Sequence, residues 1–202
     1  MPKIKKFVLG SLETNCYIIW NEISLEAVII DPAVPFEIDK NLKVKYIINT
    51  HGHADHILGN NYFKDLFPTA KLVIHQNDAD FLLDNNKNLS VFFGQNVTSY
   101  PSDLFVKEGD VLIFGEHQLK IIETPGHTMG SICLILDEVA IFTGDTLFCG
   151  SIGRTDFPHA SSKAMMASLE KLKGLAENLK VYAGHGPDTT IGFEVKTNPF
   201  LG

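Results

Sequence analysis

The chain has 202 residues, 45% of them hydrophobic and 20% charged, which is typical of one globular domain and excludes a largely disordered chain. The formal net charge of −7 and the lack of a basic tract argue against a nucleic-acid partner. No stretch approaches the roughly 18 apolar residues of a membrane helix or has a signal-peptide pattern, so we expect a cytoplasmic protein without a membrane partner.

The first third of the chain predicts short strands separated by turn residues, which favours an antiparallel meander. These strands are predicted at residues 4–9, 15–20 and 25–30. The third strand ends at Asp31, because Pro32 cannot continue it. A short helix is predicted over residues 36–41.

The following segment alternates strands with helices. It predicts a strand over 44–49, a helix over 55–67 that Pro68 stops, and a strand over 71–75. A further short helix runs to residue 83, with Asn77 as its N-cap. This alternation indicates parallel strands with helices packed outside the sheet.

Residues 84–102 lack a clean periodicity and predict a loop between two halves. Phe92, Phe93 and Tyr100 within it are predicted to cover the core, with the rim of a pocket as the alternative.

The second half predicts strands again and then a helix. The strands are expected at residues 103–106, 110–114, 117–123, 131–136, 138–142 and 181–183, and the helix at 161–173. Helical spacing predicts that Met165 and Met166 belong to the core. The repeated pattern indicates an α/β (α+β) fold with two facing mixed sheets and helices on both outer surfaces. Strand carboxyl ends would then gather at one edge, where ligands usually bind.

Four potential metal ligands fall within six residues after the predicted strand 44–49. They are His51, His53, Asp55 and His56. His51 and His53 lie on a turn relaxed by Gly52 and can face one cation, whereas the next two ligands point away from that pair. We therefore predict two neighbouring metal positions; the alternative is a polar loop whose histidines only cap the next helix.

Three more candidate ligands each follow a predicted strand and are directly preceded by glycine, which permits a sharp turn over the sheet edge. They are His127, Asp145 and His185. Two sites can then be filled, with Asp145 bridging them: His51, His53 and His127 for the first, and Asp55, His56 and His185 for the second. Five imidazoles and two carboxylates suit two divalent zinc ions, and also iron or manganese.

The motif His-Gly-His-Ala-Asp-His at residues 51–56, followed by the glycine-preceded ligands, resembles the metallo-β-lactamase superfamily. The segment Gly-Arg-Thr-Asp-Phe at 153–157 and the ending at 186–200 are similar to the glyoxalase II (hydroxyacylglutathione hydrolase) branch. The resemblance implies a four-layer αββα sandwich over residues 1–202, one catalytic domain without the C-terminal helical domain of longer relatives. Asp145 counts against antibiotic hydrolysis, because zinc β-lactamases typically lack the bridging aspartate.

Several functions remain open. The first is a thioesterase acting on S-D-lactoylglutathione or a similar small thioester, with Asp55 and Asp145 as catalytic residues that also bind metal. Bound metals would lower the pKa of water from about 15.7 towards about 7. The alternative is a persulfide dioxygenase with one iron held by a subset such as His51, His127 and Asp145. A non-enzymatic metal-binding module is the third hypothesis.

Residues around the cluster receive separate predictions. Arg154 is predicted to bind a substrate carboxylate, or alternatively to pair with Asp156. Asp31 is expected to accept a proton from a ligand imidazole.

The remaining histidines and the cysteines are kept outside the metal set. His75 and His117 are predicted to be structural or solvated, and His159 is a candidate for contact with substrate. Cys16 and Cys133 are expected to be buried free thiols, whereas Cys149 is a candidate to border the site.

Overall fold

Two six-stranded sheets face each other in the computed structural model, which describes residues 1–201. In the first sheet, the first three strands pair antiparallel and the remaining strands continue in parallel. The strands follow chain order: β1 (Lys3–Leu9), β2 (Thr14–Trp20), β3 (Glu26–Ile30), β4 (Lys43–Ile48), β5 (Lys71–His75) and β6 (Leu104–Val106).

The second sheet is mixed, because one of its strand pairs is parallel and the others are antiparallel. Its chain segment also contains a separate two-stranded hairpin, β11 with β12. The strands are β7 (Val111–Phe114), β8 (His117–Glu123), β9 (Ile132–Leu136), β10 (Ala140–Gly144), β11 (Leu147–Phe148), β12 (Ser151–Ile152), β13 (Lys180–Ala183) and β14 (Thr189–Thr190). The spatial order is β14-β13-β10-β9-β8-β7.

Helices cover the outer face of each sheet. They are α1 (Ala54–Ile57), α2 (Asn60–Leu66), α3 (Ser162–Lys173) and α4 (Ile191–Thr197), with 3-10 helices at Gln76–Leu82 and Ser90–Phe93. Apolar side chains fill three layers: one between the sheets around Tyr17 and Phe142, one with Phe63 of α2, and one with Met165 of α3. The predicted αββα sandwich is therefore confirmed.

The strands predicted from alternation are present, and the opening meander is confirmed. The predicted helix over 36–41 is wrong, since these residues form irregular chain and a turn. The predicted helix over 55–67 is divided into α1 and α2 at Gly59, whose N–H donates to the carbonyl of Pro32 at 2.7 Å. The short helix after β5 is 3-10, and His75 rather than Asn77 caps it.

Two predictions about apolar side chains are wrong. Phe92, Phe93 and Tyr100 do not cover the core, since they are 76%, 57% and 44% exposed. Met165 is buried as expected, but Met166 is 45% exposed. Phe93 instead borders the cleft described below, in agreement with the alternative of a pocket rim.

The carboxyl ends of β3, β4, β8, β10 and β13 gather at one edge of the sandwich, as predicted. Each of these ends is followed within a few residues by a candidate ligand or by Asp31. Within residues 1–201, none of the helices combines the length and apolar character needed to cross a membrane.

Candidate metal centre

The loop that carries His51 and His53 is held by two buried carboxylates. Asp31, at the end of β3, accepts hydrogen bonds from the N–H and the hydroxyl of Thr50, each at 2.7 Å. Asp78 accepts from the N–H of Gly52 at 2.9 Å, between the two histidines. These contacts fix the backbone on both sides of the turn, so its two imidazoles are presented in a set direction.

Asp78 also holds the loop that carries His127. Its carboxylate accepts from the hydroxyl of Thr128 at 2.7 Å and from the N–H of Gly130 at 2.8 Å. The side chain is fully buried, and burial raises its pKa. One carboxylate therefore ties together two loops that are distant in the sequence.

Glycines allow the other loops to approach closely. Gly144 has a φ of +47°, a left-handed conformation that suits glycine and turns Asp145 over the sheet edge. Gly184 lies against the Asp145 carboxylate and the His56 ring, where a Cβ atom would collide.

The His185 loop is fastened to the first two strands. The amide of Asn15 donates to the carbonyls of Ala183 and Gly186, each at 2.9 Å, and the hydroxyl of Tyr17 donates to Ala183 at 2.6 Å. The Lys6 ammonium donates to the Gly186 carbonyl at 2.7 Å. The last candidate ligand is thus positioned by the beginning of the chain.

The seven predicted ligands lie together at this edge. Two sets of three offer ligand atoms that all lie within 4.8 Å of one another. We call them the imidazole group (His51, His53 and His127) and the mixed group (Asp55, His56 and His185).

Asp145 reaches both groups. One of its carboxylate oxygens, Oδ2, is 3.5 Å from His127 Nε2 and 3.6 Å from His185 Nε2, and Oδ1 is 3.4 Å from His56 Nε2. His51, His56 and Asp145 also form a set with ligand atoms within 4.8 Å of one another. This is the bridging position that the sequence predicts for Asp145.

Groups outside the cluster lie against the Nδ1 atoms of three ligand imidazoles. His127 Nδ1 donates to the Arg154 carbonyl at 2.8 Å, and His185 Nδ1 donates to the Leu12 carbonyl at 3.0 Å. His56 Nδ1 lies 3.0 Å from the carboxylate of Asp31, the residue predicted to accept its proton, at ion-pair distance but without the geometry of a hydrogen bond. The Nε2 atoms of these three imidazoles face the cluster, where each can offer a lone pair to a cation once it carries no hydrogen.

The inward-facing ligand atoms lie very close to one another. His53 Nδ1 and His127 Nε2 are 2.8 Å apart, and His56 Nε2 and His185 Nε2 are 3.3 Å apart. Two nitrogens at such distances are held together by a proton or by a cation that both of them bind. Within the described chain, His51 Nε2 and Asp145 Oδ1 are buried without a hydrogen-bond partner, so a metal ion fits these residues.

The two groups differ in charge. Burial, followed by the neighbouring imidazoles, lowers the pKa of His51 and His53 well below its ordinary value, so both are neutral donors at pH 7. Burial also lowers the pKa of His56, but Asp55, Asp145 and Asp31 outweigh it and raise this pKa to about 10. Without a metal, the mixed group therefore retains a proton.

Asp55 stays ionised within the mixed group. Burial raises the pKa of Asp55, but His56, His185 and a hydrogen bond from the Thr14 hydroxyl at 2.8 Å outweigh burial. The net result is a pKa below the ordinary value. The sequence alone does not mark Thr14 or Asp78 as residues that support the ligands. Both are separated from the residues they support by 26 or more positions, so no local motif marks them.

A cleft of about 360 Å³ opens over the cluster. Its walls are mainly apolar and include Leu12, Leu89, Phe93, Phe148, Ile152 and Phe157. A larger groove of about 440 Å³ lies beside Trp20 and Leu42, but it contains none of the seven predicted ligands. The chemistry therefore belongs to the smaller cleft.

Arg154 borders the cleft and forms the ion pair that the sequence offers as an alternative role. Its guanidinium donates to both oxygens of Asp156, at 2.9 and 2.8 Å, and its Cζ lies 4.4 Å from the centre of the Phe157 ring. The side chain is 66% exposed, which leaves it accessible from the cleft. Cys149 lines a separate surface cavity with Lys180 rather than this cleft.

The remaining histidines have distinct surroundings. His75 pairs with Glu123 at 3.0 Å and His117 with Asp137 at 2.7 Å, as expected of structural residues. His159 instead contacts the cluster, since its Nε2 lies 3.2 Å from His53 Nε2. Burial, followed by the charge of His127, lowers the pKa of His159.

Comparisons with known proteins agree with this fold and site. Residues 9–185 match the metallo-beta-lactamase superfamily, and the chain therefore belongs to that superfamily of metal-dependent hydrolases. A relative from Haemophilus influenzae, named hydroxyacylglutathione hydrolase GloC, is 36% identical over 95% of this chain and 94% of its own length.

Two solved structures are also similar. The B3 metallo-beta-lactamase BLEG-1 has a TM-score of 0.89 and 33% identity, covering 98% of this chain and 99% of its own. ETHE1 from Myxococcus xanthus has a TM-score of 0.80 and 28% identity, covering 98% of this chain and 83% of its own.

Proposed function

We propose that this protein is a dinuclear metal-dependent thioesterase of the glyoxalase II type, which hydrolyses S-D-lactoylglutathione or a similar hydroxyacyl thioester. The observation that carries the proposal is the position of Asp145 between two complete sets of ligand atoms at the floor of a cleft. A closed structural site would need only one such set and no open cleft.

The residues that would hold two divalent metals, most readily zinc, are those of the imidazole group and the mixed group, with Asp145 shared. Zinc accepts this combination of imidazole and carboxylate ligands, and iron or manganese are alternatives. When bound, the metals would lower the pKa of water towards about 7 and polarise a carbonyl oxygen. This chemistry requires no serine or cysteine nucleophile.

The chain's own residues would orient the reactants. Asp145 and Asp55 hold negative charge at the floor of the cleft, and the Thr14 hydroxyl fixes one Asp55 oxygen. Apolar walls limit the access of water to the thioester carbon, and the Arg154 guanidinium at the rim would take a carboxylate of the thiol portion. A thiolate leaves readily, so the reaction needs little help from a general acid.

The relative named hydroxyacylglutathione hydrolase supports thioester hydrolysis, because it matches nearly the full length of both chains. Its name alone does not fix the thiol, and the cleft offers one arginine as a cationic anchor among its described lining residues. We therefore include a thioester with an uncharged thiol as a comparison substrate in the experiment below.

A persulfide dioxygenase with one iron is the second candidate function, supported by the similarity to ETHE1. It would use His51, His127 and Asp145 and leave the mixed group without a ligand role. The mixed group argues for the thioesterase, because its three ligand atoms are as closely gathered as those of the imidazole group.

The test combines metal analysis of the purified protein with two assays. One measures thiol release from S-D-lactoylglutathione and from the lactoyl thioester of N-acetylcysteamine, and the other measures oxygen consumption and sulfite formation from glutathione persulfide. We expect two metals per chain and release of thiol. One iron with sulfite formation would establish the second candidate and overturn the first.

Two variants complete this test. Asp145→Ala should abolish thiol release and reduce metal content, whereas Asp65→Ala changes an exposed aspartate of α2 and should leave both unchanged. Full activity in the Asp145 variant would contradict the proposed role of the shared carboxylate.

A further inference from the structure

Each ligand imidazole has one ring nitrogen that faces the cluster and a second, outer nitrogen that faces away from it. His53 differs from the other ligand imidazoles in the partner of its outer nitrogen. The other four direct that nitrogen to a main-chain carbonyl, a carboxylate or a hydroxyl. His53 Nε2 lies 3.2 Å from Nε2 of His159, and it is the one described ligand whose outer nitrogen faces a second imidazole. No local sequence pattern connects the two residues, which are 106 positions apart.

The position of the proton between the two rings follows from the geometry. His53 Nδ1 faces His127 Nε2 at 2.8 Å and must offer a lone pair if both nitrogens bind one cation. A neutral imidazole with a free Nδ1 carries its hydrogen on Nε2. His53 Nε2 is then the donor, and His159 Nε2 has to be the acceptor.

Aromatic side chains hold His159 in this position. Its ring meets Phe81 edge to face, with ring centres 4.7 Å apart, and lies nearly parallel to Phe157, with centres 6.4 Å apart. Phe81 and Phe157 both contact the His53 ring as well. The two imidazoles therefore belong to one aromatic cluster, in which the partly buried His159 packs against Phe81 and Phe157.

We propose that His159 is a positioning residue for the metal centre: it accepts the Nε2–H of His53 and thereby keeps the Nδ1 lone pair of His53 directed at the cation. The inference rests on the metal site of the proposed function but is independent of which substrate is hydrolysed. Without the acceptor, His53 populates its other tautomer, whose Nδ1–H points at the cation and has to be displaced. Loss of such an outer partner typically weakens metal binding about 10- to 100-fold.

Two variants separate this role from simple packing. His159→Phe keeps an aromatic ring between Phe81 and Phe157 but removes the acceptor. His159→Gln restores an acceptor oxygen at about the distance of Nε2 and is the matched control. Both are prepared as zinc-loaded protein, and zinc transfer to a chromophoric chelator is followed over time.

We expect His159→Phe to lose zinc from one of its two positions about 10- to 100-fold more readily than the unmodified protein. His159→Gln should stay within about threefold of the unmodified protein, because the hydrogen bond is restored. Retention of both zinc ions by His159→Phe would overturn the proposal. Equal losses in both variants would also overturn it, since packing rather than the acceptor would then be responsible.

Cobalt(II)-substituted protein provides a second readout that does not depend on turnover. The visible absorption of cobalt depends on the arrangement of its ligands, so the band of the imidazole group should shift in His159→Phe and return in His159→Gln. An unchanged spectrum in His159→Phe would contradict the proposal. Failure of thioester hydrolysis alone would affect the proposed function and leave these metal measurements interpretable.

Discussion

The imidazole group and the mixed group lie side by side yet prepare for a cation in different ways. The imidazole group is uncharged, because burial and mutual proximity lower the pKa of His51 and His53. The mixed group contains a carboxylate, and Asp55 together with Asp145 and Asp31 keeps a proton on His56 until something replaces it. A metal bound as proposed would therefore enter a neutral set on one side and displace a proton on the other.

Neighbouring groups of buried ligands can therefore be stabilised by different electrostatic interactions. The imidazole group relies on outer hydrogen bonds, from His127 to the Arg154 carbonyl and from His53 to His159, to turn lone pairs inward. The mixed group relies more on charge, with Asp31 beneath His56 and Asp55 beside it. The two groups should consequently respond differently to substitution and to pH.

The largest effect should come from the residue that the two groups share. Asp145→Asn keeps the size of the side chain and removes its charge, so both groups lose an anionic oxygen. We expect the metal content to fall and kcat/KM for the thioester to decrease by more than about 100-fold. Loss of a group that only supports a ligand already costs about 10- to 100-fold, and Asp145 is proposed as a ligand itself. Steady-state kinetics and metal analysis measure this, and a decrease confined to one metal position would show that Asp145 serves only one group.

Asp31→Asn should weaken the mixed group more than the imidazole group, although Asp31 also accepts two hydrogen bonds from Thr50 beside His51. The Asp31 carboxylate lies 3.0 Å from His56 Nδ1, and its neutral amide is a weaker acceptor that no longer supports the charge on His56. We expect metal affinity to fall about 10- to 100-fold at one position. Competition with a chelator would resolve the two positions, and equal weakening of both would contradict the division into groups.

Asp78→Asn should act on the imidazole group instead. Asparagine keeps one acceptor oxygen, so its NH2 group would face the N–H of either Gly52 or Gly130, each of which the carboxylate now satisfies with a different oxygen. Leaving such buried donors unpaired costs about 1–3 kcal/mol in the free energy of unfolding. Denaturant titration of the metal-free variant measures this cost, and unchanged stability would show that these loops need no common anchor.

The metal-free protein should lose stability on both sides of neutral pH, for different reasons. His51 and His53 have pKa values below the ordinary 6.5, so below that pH unfolding takes up protons and stability falls as the pH falls. The pKa of His56 is raised from 6.5 to about 10, so its contribution is complete below pH 6.5 and is lost as the pH rises towards 10.

Thermal unfolding of metal-free and zinc-loaded protein from pH 5 to pH 10 tests both slopes. The zinc-loaded protein is the control, because metal rather than protons occupies the ligand atoms. A Tm of the metal-free protein that does not change between pH 7 and pH 10 would be inconsistent with the proton on His56.

The smallest effect is expected at the rim, outside both groups. Arg154→Gln removes an exposed guanidinium whose solvent-screened ion pair with Asp156 contributes little to stability. If Arg154 holds a substrate carboxylate, KM should rise less than about tenfold while kcat stays unchanged. Asp156→Asn is the matched control, and an equal rise of KM in it would assign the effect to loop shape.

Much of the site was predictable because its ligands follow strand ends. The sequence places His127, Asp145 and His185 after apolar strands, and strands of the same direction end at the same edge. Their convergence with residues 51–56 follows from the topology alone. Whether these side chains bind metal stays a prediction.

The features that the sequence did not predict depend on contacts between residues that are distant in the sequence. The helix over 55–67 is divided because Gly59 donates to Pro32, 27 positions earlier, and Asp78 anchors a loop 26 positions away. Phe92 and Phe93 have core-like side chains, but the 3-10 helix that carries them lies outside both sheets. Composition cannot distinguish an apolar rim from an apolar core.

The fastening of the His185 loop to the first two strands has a consequence for biosynthesis. Asn15 and Tyr17 leave the ribosome well before their carbonyl partners at Ala183 and Gly186, which follow 166 to 171 positions later. While the nascent chain is still growing, its second sheet lacks β13 and the mixed group lacks a ligand. The mixed group can therefore be completed only after this segment has been translated and has docked on the first two strands.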